Sequence, residues 1–281
     1  IFCSAMADNN EIELTEFIKK IFDQYNYDDY YELVMKIQSQ SGLLNIIEER
    51  VFFNIFSKKR RELTSEGKDV SVIEQQESVI RFEGEDRYDA VLKMNKEFTL
   101  KDWSDALPIY PPTEDKVREL VSGTSLPADH VVCDMPPGFG LATVEKIAIN
   151  AVMAGCKPEY LPVVITALET ACTDEFNMHG LLATTMPVGP ILFINGPIRK
   201  SLGMNSGMNL LGQGNRANST IGRALQLTIR NVGGGRPAEI DRATHGSPSK
   251  YGLCFAEDEE SSPWPSYSED LGFSPSQNTV T

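Results

Sequence analysis

Apolar positions in the first hundred residues recur at three- and four-residue spacing. Glu13–Tyr25, Tyr30–Gln40 and Leu43–Lys58 each carry such a stripe, which predicts three amphipathic helices. Asp28 and Asp29 are placed to cap the second, and the basic run Lys58–Arg61 fits a solvated helix end, where cations are favoured. From Val70 to Lys93 the pattern is ambiguous between a charged helix and a hairpin. Glycine is scarce here and proline absent, so residues 1–100 read as a helical cap or interaction region.

At Trp103 the pattern changes. Leu107–Pro112 holds three prolines and must be extended, because proline disfavours helix at itself and just before it. Thr113 then caps a short helix reaching Val121, with Glu114 and Asp115 in its first turn. His130–Met135 predicts a buried strand, and Thr143–Met153 a helix closed by Gly155. A further helix starts at Pro158 and runs to about Cys172. Leu181–Thr185, Ile191–Asn195 and Tyr251–Ala256 are expected strands, and Arg216–Val232 an amphipathic helix stopped by Gly233–Gly235. Alternation of strands with helices of this length indicates an α/β sheet domain over 101–260 with glycine-rich strand-to-helix loops. Residues 261–281 read as an extended acidic tail, wrapping or loose.

Composition narrows the function classes. No apolar run approaches the roughly 20 residues of a membrane span, and no basic segment precedes an apolar one at the start. Ile1–Ala5 looks foreign to the chain, with Met6 as its natural beginning. Five cysteines in 281 residues form no C-x-x-C pair, which suggests reduced thiols and a cytoplasmic location. The net charge of −14 argues against nucleic-acid binding. Yet residues 196–250 carry eight bases and two acids, a local +6, within the region richest in glycine. A small anion is the partner such a segment suits. The alternative is that these arginines are scattered over the surface and pair with the tail.

Three groups of residues are candidates for chemistry. Gly212–Asn218 precedes a predicted helix, and glycine lets backbone N–H groups approach a ligand closely. There Gly214, Asn215, Arg216 and Asn218, with Asn195 and with Arg223 two turns on, form a candidate anion site. The segment is neither a Walker loop nor a dinucleotide fingerprint, and its alternative reading is a set of tight turns. Cys156 stands before a predicted helix beside Lys157, where a thiol should ionise more readily and act as a nucleophile. The alternative is a small residue packed at a corner between helices. His245 and Glu257, either side of the last strand, are candidates for proton transfer, although an acidic run like Glu257–Glu260 is usually a solvated face. The three histidines show no metal-ligand spacing, so no metal site is expected, and no motif specifies a cofactor.

Pro136–Glu159, Asn195–Arg199, Gly214–Arg223 and Thr244–Tyr251 together resemble bacterial proteins that accompany, or are fused to, the UGSC family of (seleno)proteins. The resemblance covers about residues 103–281. It implies redox company, but the chain has no U-G-S-C or C-G-S-C stretch, so that motif is not carried over. It also implies a histidine where this chain has Met186, hence an altered activity, and a chain continuing past Thr281. The expected function is an enzyme, or its active-site half, acting on a small anionic metabolite by thiol or acid–base chemistry. The alternative is a non-catalytic partner subunit of a UGSC-type redox protein. Expected partners are the small anion, a redox protein and a second copy of the chain, without nucleic acid or membrane.

Overall fold

A computed structural model describes residues 80–281. Contacts divide the chain into two compact units, Ile1–Arg81 and Phe82–Thr281, and only the second is described below. The three helices expected in 13–58 lie outside the described residues. The second unit mixes helices with two small sheets. It opens with α1 (Arg87–Leu100) and α2 (Glu114–Val121). A hairpin of β1 (Val131–Met135) and β2 (Gly140–Thr143) leads into α3 (Val144–Ala154) and α4 (Leu161–Ala171). There follow α5 (Met178–Ala183), β3 (Ile191–Asn195), the single turn α6 (Ile198–Ser201), the long α7 (Arg216–Asn231) and β4 (Leu253–Ala256). A turn, α8 (Tyr267–Asp270), and a short strand, β5 (Thr279–Val280), complete it.

The core is helical. α3 is apolar nearly all round and is buried along its length, so it sits at the centre. Thr143 caps it by accepting from the Lys146 amide, and Gly155, at φ +92°, ends it in the left-handed conformation that glycine adopts without steric cost. α7 buries Ala217, Ile221, Ala224, Leu225 and Thr228, the i, i+4, i+7, i+8 and i+11 positions of one face, and packs most extensively against α3.

Five strands form two sheets rather than the single domain-wide sheet the alternation suggested. β1 and β2 pair antiparallel by themselves. The other sheet has the order β4-β3-β5, with β3 and β4 parallel and β5 antiparallel to β3. The parallel pair needs a crossover, and α6, the glycine-rich loop and α7 supply it. The glycine-rich segment therefore follows a helical turn, not a strand directly. Leu181–Thr185, expected as a strand, lies mostly within α5. Asn177, in the left-handed region at φ +52°, caps that helix from the Gly180 amide, and a short apolar run has no periodicity to distinguish strand from helix. The tail is tied down. Ser266 and Glu269 form a capping box for α8, and Thr281 exchanges two backbone hydrogen bonds with Phe193. Helix α1 packs into the second unit, burying Met94, while the Asn95 side chain accepts from the Ile109 amide at 2.8 Å. Contacts thus separate the units nineteen residues before the expected boundary between residues 100 and 101.

Candidate functional site

The carboxyl ends of parallel strands carry free backbone groups and face a crevice in open sheets, which makes them common ligand positions. Here β3 ends in Asn195, and β4 runs directly into Glu257. α7 also begins at this end. Its Gly222 lies against Gly252 and Leu253, and its Gln226 reaches Ser249, so the helix runs back towards the amino ends of the strands.

Two clusters share this end. In the first, Asn195 is fully buried and its Nδ2 donates to Glu257 and to Glu259. Arg199, 3% exposed, donates to the backbone oxygens of Gly196 and Glu257 and to the carboxylates of Glu259 and Glu260. Glu257 further accepts from the Tyr267 amide at 2.9 Å. Hydrogen bonds from Arg199 and then Lys200 hold the Glu260 carboxyl well down, at about 2. Gly196, at φ +89°, lies so close to Gln277 that a Cβ would collide with its carbonyl oxygen, so the tail closes over the strand end. The sequence reading missed Arg199, Glu259 and Glu260. The available signal was a basic pair, Arg199–Lys200, one turn past a strand and an uninterrupted acidic run just past its parallel neighbour.

The second cluster is the start of α7. Asn215 caps the helix, accepting from the Asn218 amide at 3.0 Å, and its Nδ2 donates to the Gly203 carbonyl. The Asn218 side chain accepts from the Asn205 amide and donates back to the Asn205 carbonyl. Both asparagines therefore brace the loop, as turn-forming side chains do. Gly214, at φ +110°, has open space where a side chain would project. Arg216 donates Nε to the Gly155 carbonyl at 2.9 Å and has no acidic partner among the described residues. The other two arginines of α7 are paired, Arg223 with Asp105 and Arg230 with Asp102. Arg223, expected at the anion site, is thus committed to the segment that follows α1.

The remaining candidates are dispersed. Cys156 is buried, and its thiol donates to the Thr220 carbonyl at 3.3 Å. Burial pushes it up to about 12, the reverse of the lowering expected at a helix start. It closes a packed corner between α3, Pro158–Tyr160 and α7. His245 is exposed on a loop whose Thr244 bonds the Thr185 backbone, beside exposed Met186. That loop lies at the amino ends of β3 and β4, where Gly189 meets Ser249 and Lys250. His245 and Glu257 are thus at opposite ends of one strand and form no acid–base pair. Among the described residues, no group of histidine, cysteine and carboxylate side chains is placed to hold a metal ion. No described helix is long and apolar enough to cross a membrane. No family model, curated protein or solved structure matches the chain.

Proposed function

We propose that the second unit is the anion-binding part of an enzyme acting on a small carboxylate or phosphate, which it holds at the N-terminus of α7. One observation carries this reading. Arg216 is fixed by the Gly155 carbonyl and unmatched by any described carboxylate, at the start of a 16-residue helix whose dipole favours negative charge. The local excess of bases over acids in residues 196–250 supports it, and open space at Gly214 gives a ligand room. Glu257, at the same end of the β3–β4 pair, is the carboxylate available for proton transfer. The thiol route loses its nucleophile with the burial of Cys156.

Calorimetric titration of the full chain with inorganic phosphate and with citrate tests the reading. Binding of either anion, weakened at least about tenfold in Arg216→Ala, supports it, since losing one charge-assisted contact is worth about that much. Equal binding by both proteins, or binding by neither, removes the site.

The outer face of the β3–β4 pair favours a second reading, a docking subunit for a UGSC-type redox protein. Parallel strands are normally covered on both faces. Here Leu192, Ile194, Cys254 and Ala256 face the core, whereas Ile191, at 51% exposure, Phe193 and Phe255 lie on the other side with Tyr267 against Phe193. A chain that binds neither anion, yet cross-links to such a protein through this face and fails to after Phe193→Arg, supports the second reading.

A further inference from the structure

Cys133 and Cys172 come from elements far apart in sequence, β1 and the residue that ends α4. Their Sγ atoms are 3.0 Å apart, and the Met135 Sδ lies 3.9 Å from Cys172. A covalent sulfur–sulfur bond is about 2.05 Å long, so the two need to approach by only about an ångström. Both are half-buried, whereas Cys156 and Cys254 are buried. No composition or motif marks the pair, since the cysteines are 39 residues apart and each follows an apolar segment. From the sequence they read as core.

We propose that Cys133 and Cys172 are a reversible dithiol–disulfide site that latches the β1–β2 hairpin to the end of α4. The oxidant it takes is a low-molecular-weight disulfide. One protein thiol, as thiolate, attacks a sulfur of that disulfide to give a mixed disulfide and release one thiol. The second protein sulfur then displaces the remaining half. Two protein S–H bonds and the oxidant's S–S bond are exchanged for one protein S–S bond and two small-molecule thiols, which carry the two protons away. The hydrogen bond with Cys172, burial, and the nearby Asp134 and Glu169 carboxylates all disfavour the Cys133 thiolate.

The test exposes the full-length chain to 2-hydroxyethyl disulfide at mildly alkaline pH and blocks the remaining thiols with N-ethylmaleimide. Peptides are then mapped by mass spectrometry. Cleavage after Glu159 separates Cys156 from Cys172. The expected result is one cross-linked peptide joining Cys133 to Cys172, lighter by two hydrogens than its separate parts. It disappears on treatment with dithiothreitol, and the two maleimide-labelled peptides are lost in equal fraction on oxidation. Full labelling of both cysteines after oxidation overturns the proposal. So does a cross-link joining either one to Cys3, Cys156 or Cys254. The deciding measurement is made on the unmodified sequence, so it does not depend on the folding of a variant. Cys133→Ser and Cys172→Ser should each abolish the cross-link and leave the other cysteine either labelled or held as a mixed disulfide with 2-mercaptoethanol.

Discussion

Arg199 sets the polar structure at the end of the sheet, because one side chain ties together the ends of β3 and β4. Its guanidinium is buried and shared among two backbone oxygens and two carboxylates. A buried charge that loses its partner is costly, on the order of 3–5 kcal/mol. Arg199→Met should fall near the lower end, about 3 kcal/mol, because Glu260 is half exposed and can turn to water while Glu259 has less room to do so. Urea denaturation of the two proteins measures the difference. The acid limb has a defined sign. Glu260 is held at about 2, below its ordinary 4.5, so its contribution is complete above pH 4.5 and is lost as pH falls towards 2. Thermal melts across that window should show a shallower decline in Arg199→Met than in the unmodified protein. Parallel curves would show that the pair adds no pH-dependent stability.

At the scale of elements, the join between α7 and β4 depends on two glycines in contact. A Cβ on Gly222 would lie 2.9 Å from the Leu253 nitrogen and 3.0 Å from the Gly252 carbonyl carbon. Helix propensity alone would make Gly222→Ala stabilising by about 1 kcal/mol. The clash is with backbone, which cannot rotate away, and overpacking of this kind costs roughly 1–3 kcal/mol. The steric effect wins, so Gly222→Ala should lower Tm, with a second loss in any variant that also enlarges residue 252. A raised Tm would mean that helix and strand separate freely, contrary to their close packing. Gly222 could be recognised from the sequence only as an interior helix glycine. Its partner came from the fold, because the two segments meet across a crossover of about thirty residues.

At the scale of the molecule, the contact boundary near residue 81 bears directly on which fragment should fold. α1 supplies Met94 to the core, and Asn95 anchors the strap at Ile109. Asp102 and Asp105 neutralise Arg230 and Arg223 of α7. A fragment of residues 82–281 should therefore be soluble and melt in one transition. A fragment of residues 101–281 keeps the ion pairs but lacks α1. It should expose apolar surface, melt earlier and bind more hydrophobic dye. Calorimetry with a dye-binding assay on both fragments checks this. Equal behaviour would place α1 outside the cooperative unit.

Much of the local structure was legible in the chain because its causes are local. Thr143 and Gly155 bracket α3, the spacing of apolar residues defines α7, and the prolines of 107–112 force an extended strap. The site was legible only in part. Asn195, Arg216 and Glu257 were singled out by residue type, and they do share one end of a parallel pair. Which polar groups are free, however, depends on partners twelve to more than a hundred residues away. Asn215 and Asn218 are used in bracing a loop, Arg223 is neutralised by Asp105, and Arg199 gathers carboxylates from the far side of the crossover. Cys156 shows the same limit, because its ionisation is governed by burial against α7 rather than by its neighbours Lys157 and Pro158. Sequence determined the helices α3, α4 and α7 and the strands β1, β3 and β4 through short-range sterics and hydrogen bonding, but not the short helix α5, which was expected as a strand. Tertiary structure alone decided which charges are neutralised, which thiols meet and which sheet face stays open, because those depend on non-local packing and desolvation.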